Sequence, residues 1–207
     1  MKTGNNIRGF SLIELMIVVA LVAFFLLMAA PSFRLYLENS KVRNVAESIE
    51  KGMQIAKFNA IKTNHLTEFV LTQAGGVNNG WIVREQVPSA IPANPATVTQ
   101  VETFVWGAGG KNWVTVNTTA VDAQSGGANA VTFDGMGQLQ ATNTAWTGPV
   151  ALANPIAQVS VTSSSGMTGT FPLRVQVGLS NVANPTNSTS TRVCRPDLLL
   201  TTDSRGC

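Results

Sequence analysis

Residues 9–31 read GFSLIELMIVVALVAFFLLMAAP, and the chain is organised around them. The stretch opens on Gly9 and Phe10, carries one carboxylate at Glu14, and then runs without charge from Leu15 to Ala30. A run this apolar predicts a helix at home in lipid, and counting from Phe10 brings it to the roughly 20 residues that cross the hydrocarbon core. That count places Glu14 inside the apolar span, where an acidic side chain costs about 2.5 to 3.5 kcal/mol unless a partner relieves it. A secretory signal peptide, with Lys2 and Arg8 as its basic region, explains neither this carboxylate nor Met28-Ala29-Ala30 running straight into Pro31.

The bulk composition bounds the rest of the chain. Its 207 residues leave about 145 beyond the long helix, enough for one domain with its own core. The formal charge of +3 includes Lys2 and Arg8; without them twelve Lys and Arg face eleven Asp and Glu, so bulk electrostatics gives no argument for nucleic acid. Charged residues make up only 12% of the chain. With Thr, Ser, Asn, Gln and Gly abundant, this suits an extracytoplasmic β-rich domain better than a cytoplasmic enzyme.

Beyond Pro31 the helical pattern continues but turns amphipathic. Val42, Val45, Ala46, Ile49, Met53, Ala56 and Ala60 form an i, i+3, i+4, i+7 stripe, with Lys41, Arg43, Glu47, Glu50, Lys51 and Lys57 between them. The helix is expected from near Ser11 to about Lys62, with a polar stop at Thr63-Asn64. Gly52 reads as tolerated weakness in this helix, or as a mark of close packing. His65, the single histidine, reads as a helix-end or solvent group.

After the helix the period switches to two. Strands are expected over residues 67–73, 81–87, 97–106, 112–118, 130–133, 156–162 and 171–179, with 138–141 as the start of a return strand. Residues 74–80, rich in Gly and Asn, read as a hairpin turn, and Asp134-Gly135-Met136-Gly137 as a tight turn. The fold class is α+β: a long N-terminal helix with antiparallel sheet wrapped on it. Trp81, Trp106, Trp113 and Trp146 read as core or sheet-face residues. No paired-carboxylate motif, G-x-S-x-G, phosphate-cradling glycine loop or H-E-x-x-H is present, so an enzyme is disfavoured, and no cofactor is expected. Two distant cysteines and one histidine do not make a structural zinc set. Asn117-Thr118-Thr119 and Asn187-Ser188-Thr189 fit the glycosylation sequon, a pattern common by chance. Cys194 and Cys207 allow one intramolecular pairing in an exported domain, or two free thiols.

The residues GFSLIEL, behind a short basic leader, resemble the processing site of type IV prepilins and type II secretion pseudopilins. The resemblance implies a leader of residues 1–9, cleavage by a prepilin peptidase after Gly9 and N-methylation of Phe10. Glu14 then attracts the terminal amine of a neighbouring subunit during assembly, consistent with a carboxylate in lipid gaining from a nearby cation. Pro31 falls where that family carries a proline, which removes a backbone hydrogen bond and kinks or loosens the helix. AIKTN before a strand, FDGMGQL and the terminal RVCRP are together similar to the GspH/FimT family. The implied organisation is a transmembrane and assembly helix over 10–31, its amphipathic half over 32–64 and a periplasmic or extracellular β-rich domain over 65–207 with a C-terminal disulfide loop. The implied function is that of a minor type IV pilin of the FimT/FimU kind, in the inner membrane and then at the pilus tip. It would help initiate or cap the pilus in support of twitching motility, with other minor pilins and the major pilin as partners; a GspH-type pseudopilin of type II secretion is the alternative. Arg192, Arg195 and Arg205 loosely resemble the arginine pattern by which some of these minor pilins bind DNA during uptake, although Thr191 replaces a glycine and Asp197 and Asp203 weaken the field.

Overall fold

The computed structural model describes residues 10–74, 77–88, 97–106, 113–120, 130–140, 156–177, 191–198 and 203–207. Helix α1 spans Leu12–Thr63. It is followed by β1 (Leu66–Ala74), β2 (Val77–Val87), β3 (Thr97–Val105), β4 (Val114–Ala120), β5 (Ala130–Phe133), β6 (Ile156–Ser163), β7 (Leu173–Val177) and β8 (Thr191–Cys194). The chain divides into two compact units, Met1–Leu37 and Glu38–Cys207.

In the first unit α1 starts where Leu15 N donates to Ser11 O at 3.1 Å. Every described residue from Phe10 to Arg34 is exposed, and the helix is long and apolar enough to cross a membrane. A helix apolar on all sides and covered on none needs lipid or other protein around it. Pro31 removes the hydrogen bond its nitrogen would otherwise give to the preceding turn, and α1 continues through it without a break.

The second unit is built on the remaining part of α1. Its stripe of Val42, Val45, Ala46, Ile49, Met53, Ala56 and Ala60 is buried, in line with the spacing. Two antiparallel four-stranded sheets meet in the same core, in the orders β3-β2-β1-β5 and β4-β6-β7-β8. The first contributes Phe69, Leu71, Trp81, Val83, Val131 and Phe133, and the second Val114, Val116, Ile156, Val159, Val161 and Val175. Alternation along β6 puts Val159 and Val161 inside and Gln158 and Ser160 at the partly exposed face, as period two demands. Gly52 is a close-packing position: a Cβ there would lie 2.7 Å from Phe69 Cε2 and 2.9 Å from the Trp81 ring. Of the two sequence readings, tolerated weakness gives way to contact.

Other differences have physical causes. Residues 77–80 belong to β2, not to a turn, because Asn78 and Gly80 pair with Gln73 and Thr72 across a bulge at Thr72/Gln73. Residues 138–140 do not form a strand, and residue 141 lies outside the described residues. Leu139 makes an isolated bridge to Phe133, and the chain is held by Asp134, whose Oδ1 accepts from Met136 N at 2.9 Å and Gln138 N at 2.8 Å. Gly137 takes φ +74° to close this turn, and the turn packs against Ile61 of α1. Phe171 precedes β7 and donates its N–H to Asn39 Oδ1 at 2.9 Å. Strand β8, pairing Cys194 with Arg174, lies in a tail without a recognisable period.

Two charged clusters bind the parts together. Glu68 is fully buried and accepts from Arg84 Nη2 at 2.7 Å, across the β1–β2 pair. His65 is not a simple helix-end group: its Nδ1 lies 2.6 Å from Glu85 Oε1, while Asn59 Nδ2 donates to Glu85 Oε2 at 2.9 Å. Burial works to raise the Glu85 pKa, but the hydrogen bonds from Asn59, His65 and Thr63 prevail and hold it below the usual range. Trp81 and Trp106 are buried, whereas Trp113 is 46% exposed; Trp146 and Asn187 lie outside the described residues.

Candidate functional site

Two segments carry the site residues. In the first unit Phe10 stands at the head of α1 with 83% of its surface exposed. Glu14 occupies the first helical turn, where a carboxylate is favoured by the N–H groups that lack intrahelical partners. Its side chain is exposed, among apolar neighbours that are exposed as well. Phe10 and Glu14 lie four residues apart at the helix start, both exposed. Gly9, the other half of the expected cleavage bond, lies outside the described residues.

In the second unit Cys194 and Cys207 form a disulfide with their Cα atoms 5.3 Å apart. The bond ties the C-terminus to the last residue of β8. Backbone bonds repeat the tie: Arg195 N donates to Arg205 O at 2.7 Å, and Cys207 N donates to Arg195 O at 3.1 Å. The loop therefore has its own hydrogen-bonded frame beside the covalent one.

That frame brings Arg192, Arg195 and Arg205 into one region and engages each of them. Arg192 Nη2 donates to the carbonyls of Ser204 and Gly206. Arg195 pairs with Asp197, its Nε 3.1 Å from Oδ1. Arg205 grips Asp203 through two bonds, Nε to Oδ1 at 3.1 Å and Nη2 to Oδ2 at 2.8 Å. The Arg205 guanidinium, aided by its own backbone N–H, holds the Asp203 carboxyl down to about 2. Arg195 likewise holds Asp197 below its ordinary range.

Arg195 and Arg205 also line a groove of about 440 Å³ with Arg43, Glu47, Glu50, Leu173, Val193, Cys194 and Ser204. Burial, and then the nearby charge of Glu47, push the Glu50 carboxyl up. Over the whole region Glu47, Glu50, Asp197 and Asp203 match Arg43, Arg192, Arg195 and Arg205 in number. A strand of phosphates needs uncommitted positive charge, and this region supplies a balanced network. The arginines thus act as fasteners of the tail, a role the sequence signalled only through the neighbouring aspartates. No group of three or more His, Cys, Asp or Glu side chains suited to a metal occurs among the described residues.

Comparison with known proteins agrees with the N-terminal segment. Residues 4–30 match the family described as Prokaryotic N-terminal methylation motif. The matched segment thus runs into the apolar part of α1, which is long and apolar enough to cross a membrane. Among solved structures the chain is similar to the type IV minor pilin FimU of Pseudomonas aeruginosa PAO1, at 12% identity and a TM-score of 0.39, over 75% of this chain and 99% of that one. No curated protein matches the chain.

Proposed function

We propose that the chain is a minor type IV pilin of the FimT/FimU kind. The observation that carries this reading is the methylation motif over residues 4–30, running directly into the helix on which a two-sheet domain is built. The chain is cut after Gly9 by a prepilin peptidase, methylated on Phe10 and held in the inner membrane by residues 10–31, with its C-terminal unit in the periplasm. Glu14 is the assembly group. In lipid its charge is uncompensated, so the amine of an adjoining subunit gains by lying beside it. The β-rich unit supplies lateral contacts to other minor pilins and to the major pilin, and the chain helps to start or cap a filament made mostly of another subunit, in support of twitching motility.

Mass spectrometry of the N-terminus purified from membranes tests the processing: a methylated Phe10 terminus is expected, and an intact leader or a cut elsewhere refutes it. Copurification with pilus minor subunits supports the pilus reading, and copurification with secretion pseudopilins alone replaces it with the pseudopilin one. A role in DNA uptake through Arg192, Arg195 and Arg205 gains nothing from their pairing in the tail.

A further inference from the structure

Strand β3 stands at one end of the first sheet, and each of its residues is exposed except Val98, which is partly so. The bonds on its inner edge fix what its outer edge offers. Trp106 N donates to Asn79 O at 2.9 Å, one step beyond the Gly80–Val105 pair. Bonded and non-bonded pairs alternate in an antiparallel ladder, so Phe104 and Trp106 direct their backbone groups to β2. Thr103 and Val105 therefore point N–H and C=O away from it, and among the described residues nothing bonds to those groups. A bulge between Val83 and Arg84 interrupts the ladder just before Glu102, which leaves residues 102–106 as a regular open edge.

The side chains along that edge sort by face. Phe104 and Glu102 lie opposite Trp81 and Val83, both buried, and so stand on the core side of the sheet. The Phe104 ring continues the stack from Trp81, with centroids 5.9 Å apart, and is still 42% exposed. Beside it opens a groove of about 290 Å³, lined by Phe104 and Trp106, by Trp113 and Val114 at the start of β4, and by Lys41 and Val45 of α1. Strand β4 is itself the edge of the second sheet, so two sheet edges border the groove. Glu102 is exposed and has no ion-pair partner among the described residues, whereas Lys41 is paired with Glu38 at 2.6 Å.

We propose that the edge over residues 102–106 binds an extended segment of another protein, which adds a strand to β3. Free N–H and C=O groups two residues apart, about 7 Å along a strand, are matched by the backbone of an extended chain, and exposed sheet edges take up peptides in this way. The residue facing Phe104 directs its side chain into the groove, where a large apolar group fits among the rings. Two positions along, on the same face, a Lys or Arg meets the Glu102 carboxylate. The segment recognised thus carries a large apolar residue and a basic residue two positions apart. A second copy of this chain does not supply that pattern. Of the edge strands β3, β5, β4 and β8 only β8 carries a cation, and that cation, Arg192, is bound to the carbonyls of Ser204 and Gly206. The site lies within the folded unit and does not depend on the pilin reading above.

The test presents the full chain, in detergent micelles, to an array of synthetic heptapeptides whose central positions are varied over all residue types between threonine flanks. The native chain should retain peptides with a large apolar and a basic residue two positions apart. Glu102→Lys should exchange the basic preference for an acidic one and hold the original peptides several-fold more weakly. Backbone N-methylation of a retained peptide gives a second arm that leaves the protein untouched. Methyl groups on the two residues flanking the apolar one, which face Thr103 and Val105, should abolish binding. A methyl group on the apolar residue itself, whose N–H points away from β3, should leave binding largely intact. Retention indifferent to which nitrogens are methylated means that the groove takes only a side chain or a small apolar molecule, and overturns the added strand. An array with no retained peptide, or a selection unchanged in Glu102→Lys, overturns it as well. Retention that falls as the chain is concentrated reports an edge covered by a second copy, and has the same consequence.

Discussion

Gly52→Ala decides whether α1 and the first sheet touch as described. Taken as an isolated helix, the substitution should help, since Ala is favoured over Gly in a helix interior by about 1 kcal/mol. In this chain the added Cβ would meet Phe69 Cε2 at 2.7 Å and two Trp81 ring atoms at 2.9 Å, where carbon atoms prefer about 3.5 to 4.0 Å. Neither ring has room to swing. Phe69 is fully buried and Trp81 is 2% exposed, and Trp81 is held between Phe69 and Phe104 with centroids 5.9 Å away on each side. Overpacking of a well-filled core costs about 1 to 3 kcal/mol, so the contact outweighs the propensity gain and the net loss is about 1 kcal/mol. For a chain of this size that is a fall of roughly 2 to 4 °C in Tm. Thermal unfolding of the full chain in detergent micelles, followed by the near-ultraviolet signal of its tryptophans, reads this directly. A rise in Tm for Gly52→Ala would refute the reasoning, because only a helix with free space over residue 52 gains from the methyl. Gly52→Val, bulkier and a poorer helix former, should lower Tm further.

Three other outcomes follow from the packing and the charges. Replacing Cys194 and Cys207 together by Ser should cost about 3 kcal/mol by the chain-entropy account of a loop this short, with reductant reproducing the loss in the native chain only. Arg84→Met leaves the buried Glu68 without its guanidinium and should destabilise by about 3 to 5 kcal/mol, while adding Glu68→Gln should restore part of that; equal losses in the single and double variants would contradict the pairing. The Asp203 carboxyl titrates lower in the folded chain, at about 2, than its ordinary 3.8. Its contribution is therefore fully present above about pH 4 and is lost as pH falls towards 2, and Asp203→Asn should flatten that part of an acid denaturation profile.

The elements that were legible in the sequence are those fixed by short-range periodicity. The stripe from Val42 to Ala60 and the alternation along β2 and β6 each reveal their buried face through spacing alone, whereas β1 is buried continuously from Thr67 to Leu71. What could not be read depends on partners distant in sequence. Gly52 looks weak until Trp81 is placed over it, His65 looks like a helix end until Glu85 comes beside it, and β8 has no pattern of its own because four residues are too few to show one. In sequence Arg192, Arg195 and Arg205 stand close to Asp197 and Asp203, which weakens a basic reading without saying which arginine meets which acid. Hydrogen bonding assigns two of them to Asp197 and Asp203 and the third to carbonyls. The Phe10 to Pro31 stretch was the most legible of all, since its meaning rests on hydrophobic length and one carboxylate and needs no tertiary partner.

The account rests on Glu14 as an assembly group in a pilus-priming chain, and one complementation series tests it most directly. A deletion strain is supplied with native chain or with Glu14→Ala, and surface filaments, twitching motility and protein secretion are scored side by side. The account predicts that the deletion loses filaments and motility with secretion intact, that the native chain restores both, and that Glu14→Ala reaches the membrane folded but restores few filaments. Full filament numbers with Glu14→Ala would contradict the assembly role, and a deletion defect confined to secretion would contradict the pilus reading.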